Sequence, residues 1–170
     1  EKVFGPKGIL NDTTYNNGIK DQRYYDITVE QLLRHQAGFN NYAGDPVSST
    51  RYIMMQNRLT TPPDHKTLLR ILLKRHLGYT PGQGKCYSNL GYMILSMIIE
   101  KKSGMKYENF MQKYVLQPAG CYDMHIAGTY LKDRRPNETK YYMHQGSIPV
   151  YEYNNSGRLV EKCYGDTDLP

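Results

Sequence analysis

The stretch from Tyr79 to Gly104 constrains this chain more than any other. It begins Tyr79-Thr80-Pro81-Gly82-Gln83-Gly84, and a proline with two glycines so close together forces a turn. Tyr87-Ser88-Asn89 then leads into Leu90-Gly91-Tyr92-Met93-Ile94-Leu95-Ser96-Met97-Ile98-Ile99, which would be apolar on nearly every face of a helix. A helix of that kind belongs in the middle of a protein. Its uncharged run, Cys86 to Ile99, falls short of the ~18 residues that suggest a membrane span. Lys101 and Lys102 place cations near the negative end of the helix, and Gly104 suits the left-handed position just beyond it. The chain is therefore expected to present Tyr87 and Asn89 at the positive N-terminus of a buried helix, at the edge of a cleft.

The flanking segments are read from the same signals. Residues 1–26 carry enough Gly, Pro, Asn and Asp to break any period, with Phe4, Ile9 and Leu10 expected to pin them to a core. Thr28 caps a short helix, with Gln31 at the capping-box position, an apolar face of Val29, Leu32 and Leu33, and Gly38 as its stop. His35, near that helix end, reads as a packed or hydrogen-bonded structural histidine, not as a catalytic base. Ser48 or Ser49 is expected to cap a helix running to about Asn57. After the break at Pro62-Pro63, Asp64 caps a helix from His65 to His76. Leu68, Leu69, Leu72 and Leu73 form its apolar side, and Lys66, Arg70 and Lys74 a basic stripe best read as a solvated face. A further helix is expected from Lys106 to Leu116, stopped by Pro118 and Gly120. Beyond residue 121 the pattern turns β-like: Tyr141–Gln145 and Val150–Tyr153, then a turn at Asn154–Gly157 before Arg158-Leu159-Val160.

Three segments in order carry a resemblance. They are Ile27–Phe39 (ITVEQLLRHQAGF), the central run Pro81-Gly82…Tyr87-Ser88-Asn89…Ser103-Gly104, and Tyr107–Phe110 with Val115–Cys121. Together, over roughly residues 24–126, they resemble the serine β-lactamase and penicillin-binding-protein superfamily, in the branch of class C β-lactamases, DD-peptidases and related esterases. That branch has a Tyr-x-Asn motif where this chain has Tyr87 and Asn89. The resemblance implies acyl transfer: a serine attacks an amide or ester carbonyl, an acyl-enzyme forms, and water or an amine releases it. It makes Tyr87 the acid/base partner and Asn89 the residue that hydrogen-bonds the substrate's side-chain amide. The bland alternative is that both merely cap the helix.

The family's Ser-x-x-Lys nucleophile motif and its third motif, Lys-Thr-Gly or His-x-Gly, have no counterpart in the expected places. The chain is therefore expected to be the middle of a larger hydrolase, without a nucleophile of its own and inactive alone. Ser103 and Lys106 imitate Ser-x-x-Lys, but Gly104 between them marks a helix end. They also lie ~24 Å from Tyr87 at 1.5 Å per residue.

The expected fold class is α+β: a mainly helical central lobe of a β-lactamase/transpeptidase-like fold with a β-hairpin region toward the C-terminus. It forms a single partial domain, loop-rich over 1–26, helical over 27–120 and hairpin or loop over 121–170. The net charge of +6 comes with no nucleic-acid-binding motif or basic tail, so no nucleic-acid partner is expected. Cys86, Cys121 and Cys163 have no metal-ligand spacing; no metal or cofactor is expected, and at least one free thiol. The expected partners are a small-molecule or peptide acyl substrate and, through exposed apolar surface, a second copy of the chain. By the resemblance, the location is periplasmic or extracellular. A non-catalytic helical binding or scaffold domain is the rival reading.

Overall fold

A computed structural model describes residues 1–39, 45–60, 62–127, 133–139, 151–153 and 159–161. The chain divides into two compact units, one of residues 1–49 and 63–122, the other of residues 50–62 and 123–170.

The first unit holds α1 (Thr13–Asn16), α2 (Val29–Leu33), α4 (His65–Leu72), α5 (Asn89–Ser103) and α6 (Tyr107–Met111), the last continued by a π turn over Gln112–Leu116. A 3-10 turn, Gln22–Asp26, precedes α2. The N-terminal segment therefore carries short helical turns where the sequence suggested loop, and Phe4, Ile9 and Leu10 are buried as expected. Local side-chain caps start three of these helices. Asp12, Thr28 and Asp64 accept backbone N–H groups at the starts of α1, α2 and α4, and Gln31 closes a full capping box on Thr28.

Helix α5 packs against α2, α4 and α6. Leu90, Gly91, Ile94, Met97 and Ile98 are buried, which is one face at i, i+1, i+4, i+7, i+8. The expectation of burial all round is thus corrected. Among the described residues Tyr92 is exposed on the opposite side, and Met93, Leu95, Ser96 and Ile99 are half-buried. Leu69, Leu72, Leu90 and Ile94 are almost fully enclosed, and each such side chain contributes about 1.5–3 kcal/mol by leaving water.

Two further boundaries differ from expectation. Helix α2 stops at Leu33, because His35 takes a left-handed backbone (φ 58). Leu33 is 52% exposed instead of core-facing. Helix α4 ends at Leu72, with Leu73 at its cap, four residues before His76. In α4, Lys66 and Arg70 are exposed, as is Lys74 just beyond it, in keeping with a solvated stripe.

The second unit holds α3 (Thr50–Asn57), in which Ile53 and Met54 are buried. It also holds two three-residue segments, β1 (Tyr151–Tyr153) and β2 (Leu159–Glu161), in antiparallel register with Glu152 opposite Val160. The strand expected over Tyr141–Gln145, the turn Asn154–Gly157 and Cys163 lie outside the described residues. The described residues are thus predominantly helical.

Candidate active site

The N-terminus of α5 is built by three segments of the first unit, 34–39, 45–47 and 78–88. Residues 35–38 lie against the turn that precedes α5: Gly78, Gly82 and Cys86 donate their N–H groups to the carbonyls of Gly38, Gln36 and His35 at 2.8–3.0 Å. The Tyr79 hydroxyl also donates to His35 O, at 3.2 Å. Burial pushes the Tyr79 phenol upward, with the Cys86 thiol adding to the shift, so the group stays a donor. Gly38 (φ 89) is obligatory here: a Cβ would meet Tyr79 O at 2.3 Å.

That turn is fixed at its base by Asp21. Its carboxylate accepts the N–H of Leu77 at 3.0 Å and is gripped by the Arg23 guanidinium at 2.7 Å, while Arg23 also donates to Leu77 O at 2.9 Å. The Arg23 hydrogen bonds hold the buried Asp21 carboxyl far below the usual carboxylate range.

Ser88 is the N-cap of α5. It is buried, and its Oγ accepts the N–H of Gly91 at 3.2 Å. The N–H of Ser88 in turn donates to His35 Nδ1 at 3.2 Å, which places the proton of the neutral imidazole on Nε2. The His35 ring packs between Tyr87 and Tyr92, with centroids 4.8 and 5.1 Å away. His35 is therefore a hydrogen-bonded structural histidine, and its left-handed backbone is what aims the ring at Ser88. Asp45, 9% exposed, completes the cap: one oxygen accepts Val47 N–H at 3.0 Å and the other lies 3.4 Å from Leu90 N. A carboxylate is favoured at this positive helix end.

Tyr87 and Asn89 come together. The Tyr87 hydroxyl donates to Asn89 Oδ1 at 2.8 Å, and Tyr87 is 65% exposed. Capping is thus performed by Ser88, and the phenol and the amide stand as a polar pair at the helix mouth. Sequence reasoning missed Ser88 as the cap, although serine is a favoured N-cap residue and a local rule could have found it. It also missed Asp45, which no local pattern marks, since 45 residues separate it from Leu90.

At the other end of α5, Gly104 (φ 68) breaks the chain between Ser103 and Lys106. The Ser103 hydroxyl accepts Met105 N–H at 3.1 Å, and Lys106 is the N-cap of α6. The two do not share a helix, so they cannot stack as nucleophile and base one turn apart. No group of His, Cys, Asp and Glu side chains among the described residues could hold a metal ion. Cys86 is exposed and Cys121 half-buried, and no helix among the described residues is long and apolar enough to cross a membrane.

Comparison with known proteins brings these observations to one place. A family model described as Beta-lactamase matches residues 13–159. A penicillin-binding protein of Bacillus subtilis strain 168 is 28% identical over 138 residues, which is 79% of this chain and 29% of that protein. The mitochondrial serine beta-lactamase-like protein LACTB of Homo sapiens is 31% identical over 101 residues, 58% of this chain and 16% of that one. The chain thus spans less than a third of the length of these curated relatives. Among solved structures, a D-stereospecific amidohydrolase from Streptomyces sp. superposes with a TM-score of 0.53 at 22% identity, over 86% of this chain and 42% of its own. The D-amino acid amidase of Ochrobactrum anthropi SV3 does so with a TM-score of 0.52 at 19% identity, over 86% and 38%. At these identities the two structures speak to the fold alone.

Proposed function

The chain belongs to the β-lactamase family, and from that premise we propose that it is the Tyr-x-Asn-bearing part of a serine hydrolase that transfers an acyl group from an amide or ester through an acyl-enzyme. The observation that carries the reading is the 2.8 Å contact between the exposed Tyr87 hydroxyl and Asn89, beside a cap made by Ser88 and Asp45. In this proposal Tyr87 exchanges a proton with the reacting serine or the leaving group, and Asn89 orients the substrate's side-chain amide. A phenol does so near neutral pH only if cations lower its pKa from about 10. The N-terminus of α5 places positive potential beside the pair. His35 and Asp45 set the geometry of the helix mouth without touching substrate.

The nucleophile and the third motif come, in this reading, from outside the present chain, which does not acylate by itself. The break at Gly104 between Ser103 and Lys106 supports this. The segment beyond residue 121 would begin the strand-bearing part of the fold as a hairpin region, and the protein would act in the periplasm or outside the cell. Self-association through the half-exposed face of α5 is part of the same proposal.

The test is covalent labelling. The full-length protein, treated with p-nitrophenyl acetate, nitrocefin and a fluorescent penicillin, is expected to give a burst or a serine adduct with at least one of them. The 170-residue chain should give none. An adduct at Ser103 would sink the assignment, as would a full-length protein inert to all three reagents.

A further inference from the structure

The far half of α5 borders a cavity of about 330 Å³, in the size range of small-molecule sites. It lies ~12–18 Å along the helix axis from Asn89, at 1.5 Å per residue. Buried Leu10 and Met97 give it an apolar side, and Asp12, Lys66, Glu100 and Lys101 line it as charged groups.

The charged groups are unequally engaged. Asp12 accepts the N–H of Thr14 at 2.8 Å, and Glu100 accepts that of Tyr107 at 2.9 Å. Both carboxylates therefore already cap backbone. Lys66 and Lys101 stand near enough to Asp12 to help lower its pKa, behind the hydrogen bonds from Thr14. Yet among the described residues neither ammonium group makes an ion pair or hydrogen bond. Of the charged groups in the cavity wall, the cations are the ones not engaged.

Tyr15 is the second observation. It is only 4% exposed, it lines the cavity, and its hydroxyl has no hydrogen-bond partner among the described residues. The ring is buried, while the hydroxyl oxygen is open to the cavity. Its phenol is pushed upward by burial first and then by Asp12, Asp64 and Glu100, which sets the oxygen beside the carboxylates of the wall. It is a protonated donor at the cavity, beside carboxylates that already accept backbone N–H groups.

We propose that this cavity binds a small carboxylic acid with an apolar body. The body lies on Leu10 and Met97, the carboxylate sits between Lys66 and Lys101, and the Tyr15 hydroxyl donates to one of its oxygens. The site needs nothing from Tyr87 and is independent of acyl transfer.

Phenylacetate is a suitable probe, with phenylacetamide, benzylamine and inorganic phosphate as comparisons, titrated into the full-length protein by calorimetry and by saturation-transfer NMR. Phenylacetate is expected to bind best, and the Lys66→Gln/Lys101→Gln variant to weaken it about tenfold, the value of one charge-assisted hydrogen bond. Tyr15→Phe should weaken it several-fold without removing the ring, and Tyr87→Phe should leave it unchanged. Thermal melts of each variant separate loss of fold from loss of binding. Equal or tighter binding of benzylamine, phenylacetamide or phosphate would overturn the proposal. So would phenylacetate binding that Tyr87→Phe abolishes, that the double lysine variant leaves intact, or that is absent at 10 mM on the order of the weakest specific contacts.

Discussion

The two ends of α5 are finished by different means. At the N-terminus, side chains do the work: Ser88 Oγ accepts from Gly91, Asp45 approaches Leu90, and His35 Nδ1 accepts from Ser88. His35 and Asp45 come from more than 40 residues upstream of Ser88, and beside this cap the Tyr87 hydroxyl donates to Asn89. At the C-terminus a glycine suffices. Gly104 turns left-handed and its N–H closes on Glu100 O, so Lys101 and Lys102 have no capping duty. An end capped by remote side chains can hold the proposed proton-transfer pair in place. An end capped by backbone leaves its charged side chains for other partners: Lys102 pairs with Glu1 at 2.6 Å, and Glu100 accepts the N–H of Tyr107.

The sharpest way to break this contrast is Tyr87→Phe in the full-length protein, which keeps the ring against His35 and removes only the hydroxyl. If that hydroxyl moves a proton in the transition state, turnover falls roughly 10²–10⁴-fold, while stability changes by no more than about 1–1.5 kcal/mol. Asn89→Ala should hurt amide substrates more than simple esters, which lack the side-chain amide. A kcat/KM within a few-fold of the parent for Tyr87→Phe would reduce the exposed pair to surface decoration.

The next effect concerns the base of the turn that leads to Tyr87. The Asp21 carboxylate is depressed by its bonds to Arg23 and to the N–H of Leu77, so it is charged and stabilising above the usual carboxylate range. That stabilisation is lost as pH falls below about 4, where the unfolded chain takes up the proton, and continues to fade through the lower folded value. Asp21→Asn should cost on the order of 2 kcal/mol at neutral pH, as for a lost hydrogen bond to a charged group, and should flatten the acid limb of stability. An acid limb identical to the parent's in urea melts from pH 3 to 7 would show that the N-terminal end does not depend on this anchor.

Much of the helical part was legible because its signals are local. The capping box of Thr28 and Gln31, the Asp64 cap, and Gly104 as a stop depend on residues within four positions of each other. The surroundings of Tyr87 were not, because the groups that hold it are remote in sequence and reach it through positive-φ and turn geometry. No periodicity announces that His35 will turn left-handed to receive Ser88 N–H, or that Asp45 will approach α5. The same limit explains α5 itself. Its apolar composition reads as burial on all sides, whereas only contact with α2, α4 and α6 selects the face that is buried.

Ser88→Ala tests the cap directly. It removes the acceptor for Gly91 N–H at a buried helix end, so a cost of about 1 kcal/mol, within a range of ~0.5–2, is expected in chemical denaturation. Because the cap also fixes the stretch between Tyr87 and Asn89, activity of the folded fraction should fall as well. A loss of stability with kcat/KM unchanged would separate the cap from the pair it is argued to position.

Gly104→Ala is the matching change at the other end and should be the smallest of these. The glycine has φ 68, and a Cβ built there meets nothing within 4 Å. No neighbour has to move, so the penalty is confined to the left-handed backbone, roughly 1–2 kcal/mol for a residue with a Cβ. Part of it is offset, because alanine has less freedom to lose from the unfolded chain, by about 0.4–1 kcal/mol. The net change should be about 1 kcal/mol or less, and Gly104→Asn should cost less still, since asparagine tolerates this conformation. Activity of the folded protein should be unchanged, because the proposed proton-transfer pair sits at the opposite end of the helix. If Gly104→Ala instead destabilises more than Ser88→Ala, or lowers kcat/KM in parallel, then the C-terminal end is not held by backbone alone. The two ends of α5 would then have to be treated as one coupled element.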